Sequence, residues 1–234
     1  MATRPVFIPS LAGDSMVLTK YIEFQWFPGM SVSQKQKSID SLHDAVKKTL
    51  GIESVLEVSS KSRERLGVEL SAFNLSFTTV RQQKNISVEC AFQGSKVFEK
   101  GGPFTDLFHI TSLEAKRDKR LESSGRLTGF LFYDVFWELE PQTAFYDWLY
   151  INALKKSDDA TIKKTLTYSA FTDIEFNPKK SINCQAYTVA LFISLHSRGL
   201  LQEATSSKET FLKIMKESII NNARQDETIQ PRLF

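Results

Sequence analysis

The stretch VECAFQGSKVF, residues 88–98, organises the reading of this chain. Spaced as a helix, it sets Glu89, Gln93 and Lys96 at i, i+4 and i+7, so a carboxylate, an amide and an amine share one face. Val88, Ala91, Ser95 and Phe98 form a second, less polar face, and Phe92 lies beside the polar stripe. Spacing alone describes a solvated helix face as readily as a site. Two features favour the site. The segment is otherwise poor in charge, and the stretches on either side are apolar or small, which points to burial around the pair.

Outward from this segment the chain alternates strand-like and helical patterns. Residues 17–27 (VLTKYIEFQWF) are rich in β-branched and aromatic residues and predict a strand that Pro28-Gly29 ends. Ile39, Leu42, Val46 and Leu50 fall at near-helical spacing, and Gly51 follows, so residues 33–50 predict an amphipathic helix. Residues 55–59 predict a short strand. Residues 66–77 (LGVELSAFNLSF) fit a strand or irregular chain, and 128–139 (TGFLFYDVFWEL) has strand character. Helices follow over 143–156, 159–168 and 185–198, the last ended by Gly199. Ser206-x-x-Glu209 has the form of a capping box for a C-terminal helix. Residues 1–223 are expected to be one domain, and the polar residues 224–234 a frayed tail. Strands cluster early and helices late, which gives an α+β class with helix dominant.

Composition narrows the function classes. With 234 residues and 41% hydrophobic content the chain can build a substantial core. Its net charge of +3 permits contact with phosphates without demanding it. His43, His109 and His196 lie far apart and no Cys/His ligand spacing recurs, so neither a metal site nor a resident cofactor is expected. No Gly-rich phosphate loop is present. No apolar run approaches the length of a membrane span, and the first ten residues, MATRPVFIPS, lack the apolar core of a secretory signal. A cytoplasmic location is therefore expected, with Cys90 and Cys184 as free thiols and the sequon at Asn85 accidental.

The segment 88–98 resembles the signature of the NADAR (YbiA-like) family, roughly Glu-His-x-Phe-Gln-x-x-Lys-Phe. Upstream, Leu70-Ser-Ala-Phe-Asn74 resembles that family's Leu/Phe-Ser-Asn-Phe element. Downstream, the stretch from Glu114 to Arg120 resembles its Ala-Ala-x-x-Gly-Arg element. Order and spacing of the three agree. The blocks PQTAFYDWLYINAL and FTDIEFNPKKSINCQA look most like NADAR antitoxins associated with DarT-type toxins, a match running over roughly residues 4–200. The resemblance implies a YbiA-like/NADAR fold with an N-terminal β-rich extension. It also implies an N-glycosidase acting on ADP-ribose-like or phosphoribosyl-like compounds. One branch of the family is linked to a riboflavin-pathway intermediate. The DarT-associated branch removes ADP-ribose from guanine bases in DNA. The implied partners are ADP-ribosylated DNA as substrate and a DarT-type toxin encoded nearby. A free small-molecule substrate and a non-enzymatic ADP-ribose-binding module are the alternatives. The chain departs from the family pattern at Cys90, where His is usual. It departs again at Ile174-Glu175 and Ile182–Cys184, where Trp-Gly and further glycines are usual.

The candidate residues fit this chemistry. Cleaving a ribose N-glycosidic bond develops positive charge at the anomeric carbon, which a carboxylate stabilises or to which it directs water. Glu89 is the first candidate and Asp173 the second. Lys96 has two available roles: protonated, it holds a hydroxyl or phosphate; neutral, it attacks the aldehyde of a ring-opened ribose to form a Schiff base. The resemblance favours a catalytic lysine here. Ser71, Phe73 and Asn74 either contact ribose or pyrophosphate or stabilise a local turn. Lys61, between Ser60 and Ser62, either meets a phosphate or lies on the surface. Gln93 either orients Glu89 or contacts the ligand, and Phe92 either walls a base or belongs to the core. Tyr146 and Trp148 either stack on a base or pack a helix. Asn183 lies with Glu175 and Asn177 in a polar block interrupted by Pro178. Lys116, Arg117 and Arg120, with Lys119, form either a solvated face or a contact to a nucleic-acid backbone.

Overall fold

The computed structural model describes residues 1–79 and 84–217. Strands β1 (Ala2–Pro9) and β2 (Val17–Phe24) form an antiparallel hairpin, followed by helix α1 (Val32–Leu50). The Ser31 side chain caps α1 by accepting from the Gln34 amide, and Gly51 ends it in the left-handed region at φ 68°. Next come β3 (Val55–Glu57), the short helix α2 (Arg65–Glu69), and the hairpin of β4 (Ser76–Thr78) and β5 (Asn85–Ser87). Helix α3 (Val88–Gly94) runs directly into β6 (Lys96–Phe98). A 3-10 turn (Thr105–His109), α4 (Ser112–Lys116) and α5 (Arg120–Ser123) lead to a second hairpin, β7 (Leu127–Phe132) and β8 (Val135–Trp137). The rest is α6 (Ala144–Lys155), α7 (Asp159–Thr165), β9 (Ala170–Thr172), α8 (Gln185–Ser197), α9 (Leu201–Ala204) and α10 (Lys208–Glu217).

The principal sheet has the order β2-β1-β9-β3, with β9 parallel to β3 and antiparallel to β1. Alternation along each strand sends side chains to opposite faces. Val6, Val55 and Ala170 therefore pack with Ile39, Leu42 and Val46 of α1. Their neighbours Phe7, Leu56 and Phe171 enter the larger core, which includes Val189, Ala190 and Phe192 of α8. Helix α8 is buried around most of its circumference, as its run of apolar residues requires. The Ser194 hydroxyl donates to the Met16 carbonyl and its oxygen accepts from the Ser10 amide, which joins the N-terminal hairpin to α8.

Five sequence expectations change. Strands do not all come early: β9 lies late in the chain yet occupies the middle of the sheet, and three residues are too few to show a period. Residues 66–77 are not one strand but α2, a turn and β4. Residues 128–139 form a hairpin, because Tyr133 and Asp134 adopt positive φ (42° and 68°) at its turn. The C-terminal helix is capped one residue later than the Ser206–Glu209 pattern implies, since the Ser207 hydroxyl accepts from the Thr210 amide at 3.1 Å. Helix α3 stops before Lys96, because Lys96 pairs with Phe130 of β7 in a three-stranded sheet. Residues 224–234 lie outside the described residues.

Candidate active site

A cavity of about 860 Å³ opens beyond the C-terminal ends of the parallel strands β3 and β9. This is where parallel strands in α/β sheets present loops to ligands. The turn at Ser71–Phe73, helix α3, Lys96, the start of α6 and the segment after β9 supply its walls.

Helix α3 begins at Ser87, whose hydroxyl accepts from the Cys90 amide at 3.1 Å. All seven of its residues are buried, so the face carrying Glu89 and Gln93 is interior. The Gln93 Nε2 donates to Glu89 Oε1 at 2.9 Å. The Glu89 amide donates to the Ala72 carbonyl at 2.9 Å, and the Ala72 amide donates to Gln185 Oε1 at 2.8 Å. The turn before β4, helix α3 and the start of α8 are thereby fixed to one another around the carboxylate. Lys96 reaches the same space from β6 instead of from the helix, with Nζ 5.0 Å from the centre of the Phe92 ring. Burial lowers its pKa; the Glu89 carboxylate opposes that shift and Lys116 adds to it.

Asp173, on the segment after β9, also lines the cavity, and a second carboxyl, Glu57, is buried beside it outside the lining. Glu57, at the end of β3, is 2% exposed and Asp173, just past β9, is 7% exposed. Glu57 accepts from the Ser59 hydroxyl (2.7 Å), the Thr172 hydroxyl (2.7 Å) and the Ile174 amide (2.8 Å). Asp173 Oδ1 accepts from the Glu175 and Phe176 amides at 3.0 and 3.2 Å. Burial raises the pKa of both carboxyls, and the nearby Glu57 raises that of Asp173 further. Behind Glu57, His43 Nε2 lies 2.9 Å from Thr172 Oγ1, and burial lowers its pKa to about 4.

The DarT1-associated NADAR antitoxin model matches residues 2–225. The chain belongs to this family. No match is found among the curated proteins compared. NADAR proteins are N-glycosidase-like, and this branch is associated with a DarT-type toxin. No helix among the described residues is long and apolar enough to cross a membrane.

In this NADAR protein most of the sequence candidates meet at the cavity. Glu89, Lys96, Asp173, Ser71, Phe73, Phe92, Gln93, Tyr146 and Asn183 all line it, as do Lys61, Lys116 and Arg117. Phe92 serves both as wall and as core, since it also packs on Phe130 (5.2 Å) and edge-on to Tyr146 (5.2 Å). Three candidates lie elsewhere. Asn74 is exposed, and its amide donates to the Val68 carbonyl and Ser71 Oγ, so it holds the turn. Trp148 packs on Trp137 at 5.2 Å and is not a cavity wall. Arg120 is held by Asp106 (2.6 Å) and Asp118 (2.9 Å) and lies over the Phe104 ring, away from the cavity. Sequence reading missed Glu57 and Gln185. The available signal for Glu57 was a lone acidic residue inside the apolar run Val55–Val58; Gln185 gave none.

Proposed function

We propose that this protein is an N-glycosidase that removes ADP-ribose from guanine bases in DNA, reversing the modification made by a DarT-type toxin. The observation that carries this reading is the interior Glu89–Gln93 pair that lines, together with Lys96, a cavity of about 860 Å³ in a chain of the NADAR family. That volume falls in the range of small-ligand sites, roughly 300–1,000 Å³. Lys61, Lys116, Arg117 and Lys180 give the cavity several cations suited to a pyrophosphate and a DNA backbone. Residues 1–223 act as one catalytic unit in the cytoplasm, where modified DNA and toxin are met.

Glu89 faces the anomeric carbon and stabilises its developing charge or directs water to it. Lys96 either holds the ribose or attacks its open-chain aldehyde, and borohydride added during turnover separates the two: a covalent adduct at Lys96 marks the Schiff base. The deciding experiment incubates the protein with an oligonucleotide carrying ADP-ribosylated guanine and measures released ADP-ribose. Release that is lost in Glu89→Gln and in Lys96→Ala supports the reading. Full activity in both variants overturns the site. Turnover of free ADP-ribosyl compounds in preference to the modified DNA, or ADP-ribose binding without turnover, overturns the substrate.

A further inference from the structure

Beside the cavity lies a second groove, of about 600 Å³, that the roles of Glu89, Lys96 and Asp173 leave unused. The half-buried Phe73 lines both spaces, and Lys116 of the cavity lies over its ring at 5.1 Å. The ridge between them continues into the start of α4. Ile110, Thr111 and Ser112 line the groove, and Leu113, the next residue, lines the cavity. Ile110 and Leu113 are 41% and 48% exposed, so the ridge offers apolar surface to both spaces.

This ridge is tied to the helix that carries Glu89. The Ser112 hydroxyl donates to the Phe73 carbonyl at 2.8 Å, which uses its single proton. Its 2.7 Å contact with Ser87 is therefore donated by the Ser87 hydroxyl, whose oxygen accepts from the Cys90 amide. Ser87 is the N-cap of α3. A molecule seated against the ridge is thereby held in register with the Glu89 carboxylate.

The side chains of the groove suit a single nucleic-acid strand. Phe73 and Ile110 supply apolar surface, the exposed Lys84 and His109 supply hydrogen-bond donors, and no carboxylate is among the lining residues. Lys84 has no acidic side chain within ion-pair distance among the described residues. Glu114, on the ridge helix, is turned back onto the Thr111 amide and hydroxyl at 3.0 and 2.6 Å. Aromatic surface beside an unpaired cation binds a strand with little regard to sequence, because every base has a face to stack and every phosphate a charge to neutralise. A guanine drawn into the cavity by its ADP-ribose stays joined through its sugar to the rest of the strand. The strand must leave over the rim, and at Phe73 the rim is shared with the groove.

We propose that this groove seats the nucleotide adjoining the modified guanine in a single DNA strand, with its base against Phe73 and Ile110 and its phosphate at Lys84 and His109. This rests on the N-glycosidase reading above and adds a strand-binding site to it. The cavity recognises the modification, and the groove distinguishes a modified guanine within DNA from the same nucleotide free.

Release of ADP-ribose from three substrates tests this: ADP-ribosylated deoxyguanosine monophosphate, and two oligonucleotides in which the modified guanine has four further nucleotides on its 5′ side only or on its 3′ side only. One of the two oligonucleotides should exceed the mononucleotide in kcat/KM by about tenfold or more. In the double variant Lys84→Ala with His109→Ala, most of that gain is lost while the mononucleotide rate is unchanged. Both side chains are exposed, so the mononucleotide rate also reports that the variant is folded. Ile110→Glu, which sets a carboxylate in the path of the strand, lowers the same gain. Equal kcat/KM for all three substrates, a gain that survives the double variant, or an equal loss on the mononucleotide overturns the inference and leaves the N-glycosidase reading standing. No release from any of the three substrates overturns that reading, and the strand site with it.

Discussion

Along one wall of the cavity, Glu89 and Gln93 stand one turn apart on a single helix, joined by one hydrogen bond of 2.9 Å. Along the other stands Asp173, with Glu57 buried beside it, at the ends of strands whose bonded residues, Glu57 and Thr172, are 115 positions apart in the chain. The first wall is local: its geometry follows from helix period and the cap at Ser87. The second exists only when β9 inserts between β1 and β3. A site divided in this way loses its function differently on the two sides. Trimming the polar side chain of Gln93 on α3 should change chemistry more than it changes the fold, whereas a change behind β3 disturbs fold and chemistry together.

The largest effect expected from that contrast is at Gly67 in α2. A Cβ there would lie 1.9 Å from the Glu57 carbonyl oxygen and 2.4 Å from Ser62 Oγ. The contact is with backbone, so β3 itself must move. Gly67→Ala should destabilise the protein by about 3 kcal/mol, and should lower activity at temperatures where the protein is still folded. Gln93→Ala on the helical wall should lower activity without a comparable loss of stability. Urea unfolding of the two variants beside their rates checks this. Equal stability losses would end the distinction between a local and an assembled wall.

A pH effect of intermediate size also belongs to the assembled wall. His43 has a folded pKa near 4, below its ordinary value of 6.5, so the unfolded chain binds a proton more readily than the folded one between those values. Its contribution to stability is full above about pH 6.5 and is lost as pH falls toward 4. The buried carboxyls have the opposite sign. Their folded pKa values are raised, so their contribution is full below the ordinary carboxylate range and is lost as pH rises from there through the folded values, about 8 for Asp173. Melting temperatures of wild type and His43→Gln should therefore converge as pH is lowered from 6.5. Parallel curves would show that His43 is not titrating within the fold.

The same contrast explains what the sequence made legible. Glu89, Gln93 and Phe92 were readable because a helix brings its own residues together at a known spacing. Lys96 lines the same cavity by a route that helix spacing does not give: it comes from β6, where it pairs with Phe130, and not from a third position on the helical face. Asp173 was found through a resemblance between blocks of sequence, but its partner Glu57 was not, because no local period links two strands over that separation. Arg120 shows the converse error. A run of cations looked like one surface, yet Arg120 turns to Asp106 and Asp118 while Lys116 and Arg117 turn to the cavity. Charge along a chain does not say which carboxylates fold back onto it.

The smallest effect separates those cations. Lys116 lines the cavity with its Nζ 5.1 Å from the Phe73 ring centre, and no acidic side chain is within ion-pair distance of it among the described residues. Arg120 already has two carboxylates. A cation that neutralises a DNA phosphate releases condensed counterions, so its removal lowers the dependence of affinity on salt by about one unit of slope. A cation already neutralised within the protein releases none. Lys116→Ala should therefore reduce the slope of log affinity against log salt for a modified oligonucleotide by about 1, and Arg120→Ala should leave it unchanged. Titrations at several salt concentrations, with the catalytically impaired Glu89→Gln background to hold the substrate intact, measure both. An unchanged slope for Lys116→Ala would move the DNA backbone off this rim, and a reduced slope for Arg120→Ala would mean that DNA competes with Asp106 and Asp118 for the guanidinium.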